Sequence, residues 1–272
     1  MLGREALVIP SIFHLGLSTT PLGNDGIGAT EPTDPAYRRV AIPNDTTSFS
    51  VAANRITTII REFLYQASTQ PWGTCTHFML FDNNVGGNVW LYGALQHPIT
   101  VDNETSPWIV ANTNQIGLDI CGGSTNAMTL TTNASNSVLN HLFRRSPVLA
   151  PPPNFFMGVS TTPISTEGIG YTEPVGGAYA RLQLPNDKNT FTMAANKSIT
   201  LARQFEFANS TTPWGALTHF FITDTASGVG NVWWSGQLVH GRDVGVSTTL
   251  AITPGGFVWT LDSCIPVVGG TP

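Results

Sequence analysis

The sequence predicts an all-β protein made of two tandem, homologous β-sandwich domains of the Ig-like or jelly-roll-like kind, joined by a linker with one short helix. Three observations predict this fold class. Motifs recur in the same order 142 residues further along the chain. Short apolar runs alternate with turn-forming residues. Only 11% of the residues are charged although 41% are hydrophobic, which favours sheets with largely neutral surfaces over a disordered chain.

The internal repeat is the clearest of these signals. Ser-Thr-Thr-Pro occurs at 18–21 and 160–163, and Pro-Trp-Gly-x-x-Thr-His-Phe occurs at 71–78 and 213–220. One inserted residue near Gly228 moves the offset to 143, and Leu-Asp-x-Cys at 118–121 then matches 261–264. Such self-similarity indicates duplication. We therefore predict one sandwich at 1–122, a linker at 123–154 and a second sandwich at 155–272.

Short strands separated by turns fill each repeat. A turn at Ala52-Ala53-Asn54-Arg55 predicts a hairpin, with Asn54 tolerating a left-handed conformation. Six to eight short strands in about 110 residues are typical of a sandwich. In the first repeat the predicted strands run from Tyr37 to Pro43, Phe49 to Val51, Ile56 to Phe63, Thr74 to Phe81, Val89 to Leu95 and about Trp108 to Cys121.

The linker contains one predicted helix, at about residues 135–145. Residues 133–137 offer N-cap side chains, and Pro147 prevents continuation. One apolar stripe is formed by Val138, Leu139, Leu142 and Phe143. We expect this helix to pack on the second repeat or its neighbour. The first repeat has no room for an equivalent helix, since only about a dozen residues precede Phe13.

Charge and hydropathy argue against nucleic acid and membranes as partners. The net charge is −5 and the 12 Lys and Arg residues are scattered, so nucleic acid is not an expected partner. No apolar stretch approaches the roughly 20 residues of a membrane span, and no signal peptide is evident.

Cys121 and Cys264 are repeat equivalents. A bridge between them is possible, but buried reduced thiols are the more common case, which favours assembly in the cytoplasm.

Two patterns could be mistaken for reaction centres. His77 with Asp82, and His219 with Asp224, lie five residues apart, which on a strand places them about 16 Å apart on opposite faces. We expect each His to pack in the sheet and each Asp to open a turn.

A glycine-rich segment could be mistaken for a phosphate loop: Gly23-Asn24-Asp25-Gly26-Ile27-Gly28. It lacks the Gly-Lys end of such a loop and a following helix, so we expect a flexible surface loop.

No nucleophile elbow, Cys-x-x-Cys or His-Glu-x-x-His motif is found in the sequence. We therefore predict a non-enzymatic protein with no catalytic residues, no cofactor and no metal.

Tryptophans are the remaining candidates for function, because exposed rings can stack on sugars or dock protein partners. Trp90 and Trp233 are repeat equivalents, which favours core packing. Trp108, Trp234 and Trp259 have no aromatic equivalent and are the predicted partner or glycan contacts. Such a contact requires a tryptophan ring that is exposed to solvent.

Several motifs of the second repeat together resemble a known family. They are Leu139-Asn140-His141-Leu142-Phe143, a strand of the 156–163 type, Tyr179-x-Arg181, Trp214-Gly215-x-x-Thr218-His219-Phe220 with Asp224, Trp233-x-x-Gly236-x-Leu238, and Leu261-Asp262. This order is similar to small structural proteins of tailed bacteriophages, usually described as tail fibre or minor tail proteins. The first repeat shares it without the leading helix.

The resemblance implies a virion structural protein, assembled in the bacterial cytoplasm, that binds other virion subunits and forms homo-oligomers in the particle. A tail component (fibre, baseplate or minor tail protein) is expected. A capsid decoration or cement protein and a receptor- or glycan-binding module are the alternatives.

Overall fold

The computed structural model describes residues 8–23, 26–117, 129–144, 150–195 and 198–260. The described chain divides into two compact units. Of the described residues, the first unit contains 8–23, 26–117 and 139–144, and the second contains 129–138, 150–195 and 198–260. Each unit holds one of the two sequence repeats. Cys121 and Cys264, with the ends of the two final predicted strands, lie outside the described residues.

The first unit is built on a four-stranded antiparallel sheet of order β2-β1-β5-β6, faced by the two-stranded ribbons β3–β8 and β4–β7. The strands are β1 (Ile12–Ser18), β2 (Val40–Pro43), β3 (Ile56–Thr58), β4 (Phe63–Leu64), β5 (Gly73–Phe81), β6 (Val89–Val101), β7 (Trp108–Ile109) and β8 (Gln115–Gly117).

Alternation along β1 decides which side chains fill the first core. Phe13, Leu15 and Leu17 are buried on one face of the strand, as period-two geometry requires. The Tyr65 hydroxyl, from the opposite layer, donates a hydrogen bond of 3.0 Å to the Leu15 carbonyl. The apolar run of β5 lies inside the sheet, between β1 and β6, as its sequence predicts.

The second unit repeats this arrangement. Its main sheet has the order β11-β10-β14-β15-β9, and its ribbons are β12–β17 and β13–β16. The strands are β9 (Thr129–Leu130), β10 (Asn154–Ser160), β11 (Leu182–Pro185), β12 (Ser198–Thr200), β13 (Phe205–Glu206), β14 (Gly215–Thr223), β15 (Val232–Val244), β16 (Ala251–Ile252) and β17 (Val258–Thr260). The predicted all-β fold with two homologous halves is confirmed.

Turns account for the differences from the predicted strands. The hairpin is confirmed, since Asn54 and Arg55 have φ values of 50° and 66°, as a two-residue turn between paired strands requires. The predicted strand from Trp108 to Cys121 is interrupted, because Asn112 has a φ of 63° and turns the chain between β7 and β8. The predicted strand from Tyr37 to Pro43 begins only at Val40, after a turn that Tyr37 closes.

The helix α1 (Thr132–Phe143) begins earlier than the sequence predicts. Thr131 is its N-cap, since the Thr131 hydroxyl accepts a hydrogen bond from the Ala134 N–H. The same hydroxyl donates to the Val232 carbonyl of β15 at 2.5 Å, which fixes the start of the helix to the second sheet. Assigning the cap to residues 133–137 was wrong, because this tertiary contact selects Thr131.

The end of α1 packs in the first unit. Phe143 lies 5.6 Å from the Phe13 ring and 5.8 Å from the Phe49 ring, measured between centroids. The Asn140 side-chain oxygen accepts a hydrogen bond of 2.8 Å from the Ala52 N–H. Ala134, near the start of the helix, belongs to the core of the second unit. One helix therefore supplies core residues to both units, which the sequence did not predict.

Truncation of Phe143 tests this assignment. Phe143→Ala should lower the free energy of unfolding by about 3–5 kcal/mol, because it opens a cavity between Phe13 and Phe49. Asn133→Ala, at an exposed position of the same helix, is the control and should change it by less than about 0.5 kcal/mol. Urea denaturation measures both variants. Equal effects would contradict the packing described for Phe143.

Candidate interaction surface

Each unit contains the same buried ion pair. In the second unit the Arg181 guanidinium lies 2.7 Å from the Glu173 carboxylate, and its side chain is only 2% exposed. In the first unit Arg39 lies 2.6 Å from Glu31. A buried cation is stable only when it is paired and its donors are satisfied. The repeated pair is therefore a structural element of both sandwiches.

The arginine also ties a distant turn to the pair. Arg181 donates hydrogen bonds to the Thr225 carbonyl at 3.1 Å and the Gly228 carbonyl at 2.9 Å, in the turn between β14 and β15. Its guanidinium lies 5.1 Å from the Phe221 ring centroid. Arg39 makes the equivalent hydrogen bonds in the first unit, to the Asn83 and Gly86 carbonyls. Its ring contact differs, because its guanidinium lies 3.3 Å from the centroid of Phe81, a position that Thr223 occupies in the second repeat. All of these contacts lie within one unit, so the pair is a structural clamp.

The adjacent tyrosine completes the clamp. The Tyr179 hydroxyl donates a hydrogen bond of 2.7 Å to Glu173 and accepts one of 3.1 Å from the Val159 N–H of β10. Burial raises the pKa of Tyr179, and of its counterpart Tyr37, far above the usual value. Both hydroxyls therefore remain protonated donors. The same three residue types occur at equivalent positions in the first repeat, as Glu31, Tyr37 and Arg39. Only the fold brings the three side chains of each repeat together.

The two His/Asp pairs have the structural roles that the sequence predicts. The Asp82 carboxylate accepts from the Asn88 N–H at 2.7 Å and the Asn88 amide at 2.8 Å, which closes the turn after β5. His77 contacts the neighbouring Thr76 hydroxyl at 2.8 Å. Asp224 and His219 repeat both contacts. Over the residues that the structure describes, no His, Cys, Asp and Glu cluster could hold a metal.

The glycine loops are surface turns closed by their own backbone. Gly26 and Gly28 have φ values of 77° and 99°, a conformation that glycine adopts without strain. The Gly23 N–H donates 2.8 Å to the Ile27 carbonyl, and Ser165 repeats this bond. Asn24 and Asp25 lie outside the described residues. A surface loop is confirmed for the described part.

A buried carboxylate distinguishes the first unit from the second. Asp34 accepts hydrogen bonds from the Thr69 N–H at 2.7 Å and from the Trp72 indole at 2.9 Å. Burial alone would raise the pKa of Asp34, but these bonds and those from the Thr69 hydroxyl and the Ala36 N–H hold it well below its usual value. In the second unit the Trp214 indole donates instead to the Gly177 carbonyl. Of the two units, only the first therefore has a titratable side chain as the acceptor of the indole hydrogen bond.

Two of the three singled-out tryptophans are buried. Trp234 is 5% exposed and Trp259 is 6% exposed, and their rings lie 5.4 Å from those of Phe155 and Phe191 respectively. Phe13 and Phe49 are the counterparts of these phenylalanines in the first unit, where Phe143 contacts both. The second unit therefore fills its core with its own tryptophans, which explains why they have no aromatic equivalent in the first repeat. Neither meets the condition of an open ring.

Trp108 does meet that condition. It lies in β7 with 58% of its surface exposed, directly opposite Leu64 in β4, which is 64% exposed. Val110 is also exposed on this outer side. We call Leu64, Trp108 and Val110 the Trp108 patch. Exposed apolar side chains that lie together make this outer face a candidate contact surface.

The second unit provides an internal comparison for this patch. The equivalent ribbon pairs Phe205 with Ile252 and Glu206 with Ala251. Its inward residues remain apolar, whereas the outward counterparts of Leu64, Trp108 and Val110 are Glu206, Ala251 and Thr253. The fold therefore does not require the patch. Position-by-position comparison of the repeats could have identified Leu64, which the sequence analysis missed.

The fold defines the class of protein: a double β-sandwich in which the same arginine–glutamate pair is repeated in each unit. The chain belongs to the family described as Podophage GP4 fiber I protein gp80, which matches residues 1–117 and 129–260. No curated protein matches the chain. The match spans both repeats and confirms the resemblance to fibre proteins of tailed phages, and with it a structural protein of the virion.

Removal of the clamp should destabilise the second unit. Arg181→Ala leaves the Glu173 carboxylate without its cationic partner and removes the donors to two turn carbonyls, so the free energy of unfolding should fall by about 3 kcal/mol. Arg242→Ala, at an exposed position, is the control and should have little effect. Guanidinium denaturation compares them. An unchanged midpoint for Arg181→Ala would contradict the structural role.

Asp34 predicts an acid-sensitive contribution to stability. Its folded pKa is depressed, so its contribution is complete above the unfolded pKa of about 3.9 and is lost as the pH falls below that value. The difference in melting temperature between the wild type and Asp34→Asn should therefore be largest near pH 7 and shrink below about pH 4. Calorimetry across this range measures it. A difference independent of pH would refute the assignment.

Proposed function

We propose that this protein is a non-enzymatic component of the phage tail that binds neighbouring virion subunits. The family match across both repeats carries the proposal. The Trp108 patch supports it, because tryptophan is enriched where proteins bind one another. Two sandwiches on one chain also raise the effective concentration of the second contact once the first has formed.

The neighbours of Trp108 favour a protein partner over a sugar. Leu64 and Val110 flank the ring with aliphatic groups, which bury well against a protein but offer no hydrogen bonds to sugar hydroxyls. Receptor or glycan binding remains the second candidate, since the exposed Trp108 ring could also stack on a sugar. A capsid decoration role is the further alternative.

The remaining partner assignments follow from charge. With a net charge of −5 and scattered basic residues, the proposal includes no nucleic acid partner and no membrane. Among the described residues no helix has both the length and the hydropathy that a membrane crossing needs. Homo-oligomers in the particle and assembly in the bacterial cytoplasm complete the proposal.

Localisation in purified particles tests the function. The protein should co-purify with virions at a fixed copy number, and a cryo-electron microscopy map should place both sandwiches in the tail. Density on the capsid shell would instead establish the decoration role, and absence from particles would refute a virion role. A glycan array probed with the wild type and Trp108→Ala separates the second candidate, which requires sugar binding that the variant loses.

A further inference from the structure

The outer edge of β6 is unpaired over the described part of the first unit. β6 is the last strand of the β2-β1-β5-β6 sheet, and β5 is the strand that pairs with it. A strand at a sheet edge presents a row of N–H and C=O groups to which a further strand can bond. This edge of the first sheet can therefore accept one more strand.

In the second unit an additional strand covers the equivalent edge. β9 pairs antiparallel with β15, and Thr129 lies opposite Ser235. The Thr131 N–H extends this pairing by donating a hydrogen bond of 3.0 Å to the Trp233 carbonyl. Trp233 and Ser235 are two residues apart, as residues that face the same edge of a strand must be.

Trp90 and Tyr92 of β6 are the counterparts of the two residues that face β9. The β5–β6 and β14–β15 pairs have the same register, so the N–H and C=O groups of Trp90 and Tyr92 face the open edge. Burial differs accordingly between the two strands. The residues of Val232–Ser235 are all buried, whereas those of Val89–Tyr92 are only half-buried.

The space beside the edge differs in the same way. A Cβ atom added at Gly168 would meet Val232 at 2.8 Å and the Thr131 methyl group at 3.1 Å. At the equivalent Gly26, the three nearest atoms all belong to Val89, the nearest at 3.4 Å. Among the described residues of the first unit, none therefore takes the position of Thr131.

The sequence of β6 does not protect its edge. Edge strands of natural proteins are commonly short or carry charges or proline, which discourage the addition of another strand. Residues 89–96 contain no charged residue and no proline, and Pro98 is the first such residue in the strand. The opposite edge strand of the sheet, β2, has four residues and ends at Pro43. Of the two edges, that of β6 is the one suited to accept a strand.

We infer that an extended segment of a neighbouring virion subunit adds to the edge of β6, antiparallel to it, as β9 adds to β15. The inference rests on the proposed function, because it specifies how one neighbouring subunit is bound. β9 indicates the chemistry of this segment, since Thr129-Leu130-Thr131 is uncharged and alternates hydroxyl and apolar side chains. Hydrogen bonds between main chains hold such a strand, and the half-buried apolar side chains of β6 favour an uncharged one.

Amide hydrogen exchange of the purified protein tests whether the edge is open, with the second unit as an internal control. The Tyr92 amide should exchange at least about tenfold faster than the Ser235 amide, because only Ser235 faces a paired strand. Nuclear magnetic resonance measures both amides in one sample. Equal protection of the two would mean that another part of the chain or a second copy already covers β6, and it would overturn the inference.

A peptide with the sequence of residues 126–133 is the probe for strand addition, because it contains β9 and Thr131. At saturation it should slow the exchange of the Tyr92 amide by about tenfold or more and leave the Ser235 amide unchanged. Fluorescence anisotropy of the labelled peptide measures its affinity. A peptide that does not bind, or that protects amides outside β6, would contradict strand addition.

A control peptide with proline in place of Thr131 separates strand addition from contact between side chains. Proline has no N–H to donate to a carbonyl of the neighbouring strand. Loss of this hydrogen bond should weaken binding by about tenfold. Equal affinities of the two peptides would show that no main-chain ladder forms, which would refute the inference.

The outcome is separable from that of the proposed function. Strand addition is measured on the isolated protein with a peptide, whereas the place in the tail is measured on virions. A protein found in the tail that does not bind the peptide would refute only strand addition. A protein that binds the peptide at β6 but is absent from particles would refute the virion role.

Discussion

A buried arginine is the constraint on which each sandwich depends. Its charge must be neutralised inside the protein, and Glu173 with the turn carbonyls of residues 225 and 228 does so around Arg181. Glu173 and Arg181 both lie in the segment between β10 and β11, and the two carbonyls lie in the turn between β14 and β15. The clamp therefore holds together two segments that are distant in sequence. Its repetition around Arg39 shows that duplication preserved this requirement.

The two units differ where the fold leaves a choice. The first fills its core with Phe143 from the helix, and the second uses Trp234 and Trp259. The first satisfies an indole with the Asp34 carboxylate, whereas the second uses a backbone carbonyl. In both cases close packing and hydrogen-bond satisfaction are met by different residues. Such differences concern stability and need no functional explanation.

The outer ribbons differ in another way. Leu64 and Trp108 face outward, where neither core packing nor buried hydrogen bonding selects them, and their counterparts are Glu206 and Ala251. An exposed apolar pair adds little to the stability of the fold, and it is the contact that we propose for the first repeat.

The sequence by itself determined the duplication, because the repeated motifs can be compared directly along the chain. It also determined the strand-rich class, the hairpin at Asn54 and the turn-forming role of Asp82, because each of these depends on residues close in the chain. The tertiary structure alone decided the rest. Trp108, Trp234 and Trp259 are the same residue type on strands, yet only Trp108 is open, since burial depends on which layer covers each face. The cap at Thr131, the division of α1 between two cores and the bonds from Arg181 to the turn between β14 and β15 likewise depend on contacts between segments far apart in sequence, which no local pattern encodes.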